Sequence, residues 1–291
     1  MQGGDDLIDD FVPDELVALS EEENDLEEED AGGSISGEEG DVAGTSTATQ
    51  AAVEKKRKRR AKEKERKAKK RKFAETQSLE AISVAAQPPI QLSEYISSMQ
   101  AKTFSKLSGI ELGDLQIPEN CIADTVAWSG SRSLDQLPDF IVQMCPDLRT
   151  QLSQRPKHNG APFMILVCGA ALRVADATRV LKTKALRGEK GGDVAKLFAK
   201  HIKLEEHVKY LKRTKFGAAA GTPGRLGKLL EADALSVVSL THIILDVSYL
   251  DSKKRSLLDI PETRDEVFRL FLGSPKVLQA MRAGQVKLVL F

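Results

Sequence analysis

Cysteine is scarce in this chain: Cys121, Cys145 and Cys168 are the only three in 291 residues, and no two stand in a Cys-x-x-Cys spacing. An odd, scattered set makes a poor disulfide framework, so a reducing compartment is expected. Long apolar runs are missing as well, and nothing approaches the roughly 20 residues that cross a bilayer. The opening MQGGDDLIDDFVPDELVALS has neither the basic start nor the apolar centre of a leader, which predicts a soluble intracellular chain with no membrane partner. Zinc chemistry finds no support: His201 and His207 lie six apart, not four, and no cysteine accompanies them. No G-x-S-x-G nucleophile elbow occurs, and SGSRS at 129–133 reads as a loop. The lone Trp128 is expected to pack rather than to stack on a base.

Basic residues are absent from the first fifty positions, which hold 17 Asp or Glu; residues 51–75 then carry 14 Lys or Arg against 4 acids. A net charge of zero over the chain hides these blocks of −17 and +10. Residues 1–50 hold too little apolar surface to offset ordering entropy and are expected to be a disordered acidic tail. Within it, IDDFVPDELVALS interleaves apolar residues with acids, a pattern open to partner binding or to a plain solvating linker. Residues 51–78 read as a basic, helix-prone arm. Its phosphate-binding candidates are Lys55, Lys56, Arg57, Lys58, Arg59 and Arg60, then Lys69, Lys70, Arg71 and Lys72. Such a run suits nuclear or nucleolar targeting and salt-sensitive contact with nucleic acid.

Beyond the tails the pattern becomes that of a folded domain. Residues 79–159 read as helical: one amphipathic helix over 93–107, capped by Ser93 and stopped at Gly109, and a second region over 133–152 with Pro138 and Pro146 as kinks. From 160 to 291 short apolar runs alternate with helical periods. PFMILVC, DVAKLFA, FGAAAG, THIILDV and QVKLVLF are the strands, and helices separate them. That order predicts βαβ units and an α/β fold with a parallel sheet of about five strands flanked by helices. GEKGGD at 188–193 is expected to be a flexible connection.

GAAAGTPGRLGKLL, residues 217–230, is the stretch with the most chemical content. A phosphate loop needs G-x-x-x-x-G-K-[ST], and the only Gly-Lys pair is Gly227-Lys228, with Thr222 where the first glycine belongs and Leu229 at the hydroxyl position. A nucleotide cradle is therefore excluded. The remaining reading is a strand that ends at Gly221 and a helix that starts at Pro223, where free N–H groups, Thr222 and the Arg225 fork suit a nucleic-acid phosphate. A proline-started helix with no ligand would look the same.

The surrounding residues resemble the first RecA-like domain of DEAD-box RNA helicases, through the TPGR motif and the strand IILD. The segment PFMILVCGAALRVADATRVL is similar to the family's second RNA-contacting strand and helix, with Arg173 aligned to it. The resemblance implies RNA phosphate contacts for Thr222, Gly224 and Arg225. Independently of it, Lys196, Lys200, His201 and Lys203 form a basic strip by the second strand, a pattern open to added phosphate contacts or to plain solvated lysines. Asp246 stands at the first position of the family's Asp-Glu-Ala-Asp motif, but Val247 replaces the water-activating glutamate. With no P-loop lysine, no glutamate and a chain that stops at Phe291 before a second RecA-like domain, no enzyme activity and no cofactor are expected. A narrower resemblance rests on KLFAKHIK, GTPGRLGKLL, HIILDVSY and DIPETRDEVFRLF. These residues resemble the Cms-one ribosomal small-subunit protein family, helicase-like nucleolar proteins of the early small-subunit pre-ribosome. It implies pre-rRNA or snoRNA and pre-ribosomal proteins as partners. Two alternatives stay open: a divergent ATPase or helicase cofactor completed by a partner, and a chaperone driven by the acidic tail.

Overall fold

The structure, a computed structural model, describes residues 84–291. The acidic tail and basic arm expected over 1–50 and 51–78 lie outside the described residues. Five parallel strands, β1 (Met164–Val167), β2 (Asp193–Leu197), β3 (Phe216–Gly221), β4 (His242–Leu245) and β5 (Lys287–Leu290), form one sheet in the order β2-β3-β1-β4-β5. The expected α/β architecture is therefore present. Each strand is a short apolar run because helices cover both of its faces. On β1, Ile165 and Val167 point into one core while Met164 and Leu166 point into the other.

The first core is closed by α1 (Pro89–Thr103), α7 (Leu204–Arg213), α8 (Pro223–Glu231), α9 (Pro261–Asp265, continuing as a π-helical turn over Glu266–Phe271) and α10 (Pro275–Arg282). The second is closed by α3 (Leu137–Met144), α4 (Pro146–Leu152), α5 (Ala171–Leu181) and α6 (Lys184–Arg187). Each fully buried Leu, Ile or Phe in these layers contributes about 1.5–3 kcal/mol against exposure. Phe140, Phe216, Phe268, Phe271 and Phe291 are among the largest fully buried side chains.

Several boundaries differ from expectation, each for a local reason. The first helix starts at Pro89, four residues before Ser93, since proline at the first turn loses no hydrogen bond. Gly109 opens a helix rather than ending one: α2 (Gly109–Leu115) is nucleated by a capping box in which Ser108 and Glu111 bond each other's backbone N–H. Pro138 and Pro146 likewise lie in the first turns of α3 and α4 and separate two helices instead of kinking one. The 188–193 connection is packed, not loose. A Cβ on Gly192 would come within 2.5 Å of Pro156 and 2.6 Å of the Gly217 nitrogen, so only glycine allows this approach.

Candidate functional site

In an open parallel sheet, ligands bind beyond the carboxyl ends of the strands where the connections diverge to opposite faces. Here that place lies between β1 and β4. The chain leaving β1 turns to α5 on one face, and the chain leaving β4 runs to α9 on the other. The two sequence candidates nearest this crevice, Arg173 on α5 and Asp246 just after β4, meet inside it. Arg173 Nε donates to Asp246 Oδ2 at 2.7 Å and Nη2 donates to Oδ1 at 3.2 Å, a two-pronged pair with Asp246 only 2% exposed. Tyr249 covers it, its ring centroid 4.7 Å from the guanidinium carbon. Burial pulls the Arg173 guanidinium down, and the Asp246 carboxylate outweighs it and holds the charge above its ordinary value. The carboxylate is thus neutralised by its own chain.

A second closure lies beside it, past β5. Ile122 pairs with Leu288 in parallel, and Ala123 N donates to Leu288 O at 2.8 Å, which extends the sheet by one rung. The loop that follows, 124–133, leads through a short 3-10 turn into α3, a strand–loop–helix order of the kind that carries phosphate loops elsewhere. Its two largest side-chain donors, Arg132 and Trp128, bond within the fold. Arg132, buried, gives Nη1 to Leu290 O at 3.0 Å and Nη2 to Thr125 at 3.2 Å (O) and 3.0 Å (Oγ1). Burial lowers its pKa to about 10. The Trp128 indole donates to Ser131 O at 3.2 Å, lies against Gly130 and meets Phe140 edge-on at 5.5 Å. Trp128 packs, as its solitary occurrence predicts.

The TPGR stretch has the expected secondary structure and different donor assignments. Thr222 is the N-cap of α8, half-buried, with its hydroxyl bonding no backbone group of the helix. The Gly224 N–H donates to the Glu266 carboxylate at 2.9 Å, so an anion from α9 already sits at this helix start. Arg225 turns inward: Nη2 donates to Ile202 O at 2.8 Å and Nη1 lies 3.2 Å from His207 Nδ1. The expectation that Arg173, Gly224 and Arg225 hold free donors out to a phosphate therefore meets a different geometry, in which each is bound within the fold. Arg225 Nε is a buried donor with no hydrogen-bond partner among the described residues. Lys200 and Lys203, just after β2, are exposed.

Three contributors escaped the sequence reading. Arg132 sat in a stretch read as a bare loop; its signal was a charged side chain between the apolar pair Cys121-Ile122 and the helix from 134. Glu266 gave no local cue, because its partner lies 42 residues away. Ser248, whose hydroxyl donates to Arg132 O at 2.8 Å and ties the two closures together, was equally silent.

These features define a parallel α/β protein whose sheet crevice is filled by its own side chains. The chain belongs to the CMS1 family, described as U3-containing 90S pre-ribosomal complex subunit, which it matches over residues 41–291. It is 40% identical over 172 residues to protein CMS1 of Chaetomium thermophilum, covering 59% of this chain and 67% of that one. It is 35% identical to protein cms1 of Schizosaccharomyces pombe over 76% and 75%, and 33% identical to human protein CMSS1 over 62% and 61%. Among solved structures it is similar to the yeast DEAD-box splicing factor Prp28, with a TM-score of 0.38 and 16% identity over 57% of this chain and 34% of that one. A likeness to Saccharomyces cerevisiae dbp5 has a TM-score of 0.37 and 15% identity over 70% and 46%.

Proposed function

We propose that this chain is a nucleotide-independent RNA- and protein-binding factor in nucleolar assembly of the small ribosomal subunit and in pre-rRNA processing. Its partners are pre-rRNA or snoRNA and other pre-ribosomal proteins. Membership in a family of 90S pre-ribosomal subunits supports the role in ribosome biogenesis. The single observation behind a non-catalytic reading is the closure of the crevice by Arg173 on Asp246. A phosphoryl-transfer site needs a cradle for the phosphates and a carboxylate free to orient the metal. Here that carboxylate serves a guanidinium instead.

Under this proposal the basic sequence 55–72 adds contacts that weaken with salt, and the acidic sequence 1–50 recruits basic partners. RNA crosslinking in cells, mapped to peptides, tests it. Crosslinks in both 55–72 and the folded residues 160–291 are expected; crosslinks confined to 55–72 would reduce the folded part to a protein-docking module.

A further inference from the structure

The rim at the opposite, N-terminal end of the sheet carries a cluster of cations that the fold does not use. β2, β3 and β1 are neighbours, and the segments that enter them, 188–192, 212–215 and 155–160, run side by side. With strands about 4.8 Å apart, the three segments span about 10 Å. Direct contacts fix them together. Asn159 Nδ2 donates to Lys212 O at 2.9 Å, Gly160 N donates to Thr214 O at 3.1 Å, and Gly192 is pressed between Pro156 and Gly217. Arg155, Lys157, Lys190, Lys212, Arg213 and Lys215 project from this base, and all six are exposed.

None of the six enters an ion pair among the described residues. The acids on these segments are already engaged: Glu189 with Lys184 at 3.8 Å and Asp193 with Arg187 at 3.4 Å. Asp233, which feels the charge of Lys212, is paired with Lys276. Lys212 and Arg213 at the end of α7 also complement the helix dipole. Arg155, Lys157, Lys190 and Lys215 lie in loops, where that explanation fails. No large apolar side chain is exposed on the three segments, so the anchor that a protein interface centres on is missing. A rigid base bearing spaced, unpaired cations and no apolar centre suits the phosphate backbone of a polynucleotide.

We propose that this N-terminal rim is an RNA-backbone-binding surface, separate from the crevice edge that holds Thr222, Lys200 and Lys203. The inference rests on the reading of the chain as an RNA-binding factor. The test uses the full chain, a labelled single-stranded RNA and a salt titration. Neutralising Arg155, Lys157, Arg213 and Lys215 together to Gln should lower the slope of log affinity against log salt by about 3, from about 0.7–0.9 per lost phosphate contact. Affinity near physiological salt should fall at least tenfold, with an unchanged melting temperature. An unchanged slope and affinity in this variant would overturn the rim proposal, the more so if Lys200→Gln/Lys203→Gln weakens binding instead. A labelled polyglutamate peptide that binds wild type and not the four-site variant, with RNA binding intact, would assign the rim to an acidic protein segment and overturn it also. No RNA binding by the wild-type chain would overturn the functional reading itself.

Discussion

Arg173 and Asp246 form a two-pronged ion pair in a buried place, where each supplies the other's partner charge. Replacing Arg173 by Met leaves a buried carboxylate without a partner, and a loss of about 3–5 kcal/mol in unfolding free energy is expected. Replacing both, Arg173→Met with Asp246→Leu, should recover most of it, and a double-mutant cycle by urea denaturation measures the difference. His207 gives a second test at this scale. Burial, and then the charge of Arg225, lowers its pKa to about 4. The folded value lies below the unfolded one, so the unfolded chain takes up the proton first and stability falls as pH drops from about 6.5 toward 4. By pH 5 this group should cost about 2 kcal/mol relative to pH 7.5. His207→Gln should remove that share of the pH dependence, seen as a smaller shift of the urea midpoint between the two pH values. The candidate site was legible in the sequence as residue types, not as contacts. Arg173, Asp246 and Arg225 stand out in the sequence as candidates, but the contacts they make in the fold are set by partners 18 to 73 residues away, a separation that no local pattern encodes.

At the scale of elements, glycine spacing explains how α8 packs. Gly224 and Gly227 stand three apart on one face, and the π-helical end of α9 crosses there so closely that a Cβ on Gly227 would lie 2.5 Å from Leu270 Cβ and 2.9 Å from its carbonyl oxygen. Gly227→Ala should therefore destabilise by about 1–3 kcal/mol through overpacking, despite its better helix propensity. Gly113→Ala, in exposed α2 with nothing within 4 Å, should instead stabilise by up to about 1 kcal/mol. Chemical denaturation of the two variants separates close packing from propensity. The strands were legible because each is an apolar run between turn signals, and FGAAAG and LEEHVKYLKR fall where their patterns predict β3 and α7. Helix starts among prolines were less so, because Pro138 and Pro146 fit a kink and a first turn equally well. The glycines of 188–192 looked loose for a similar reason: a close approach and a flexible turn favour the same residue.

For the whole molecule, the two ends of the sheet are chemically different. Its carboxyl end is closed by Arg173 on Asp246, Arg132 on Leu290 and Thr125, and Glu266 on Gly224, while its amino end displays cations that form no ion pair among the described residues. The sheet order follows from alternating apolar runs and helices, yet the sealing does not, since it depends on which side chains meet after folding. Because the proposal of a nucleotide-independent factor rests on the closure of this crevice by Arg173 on Asp246, nucleotide binding tests the account most directly. A titration of the full-length chain with a fluorescent ATP analogue and Mg²⁺ should show no saturable binding up to millimolar concentration. The same result is expected in the presence of RNA. Saturable micromolar binding that Asp246→Asn abolishes would contradict the account, since it would show a carboxylate that leaves Arg173 to serve a metal.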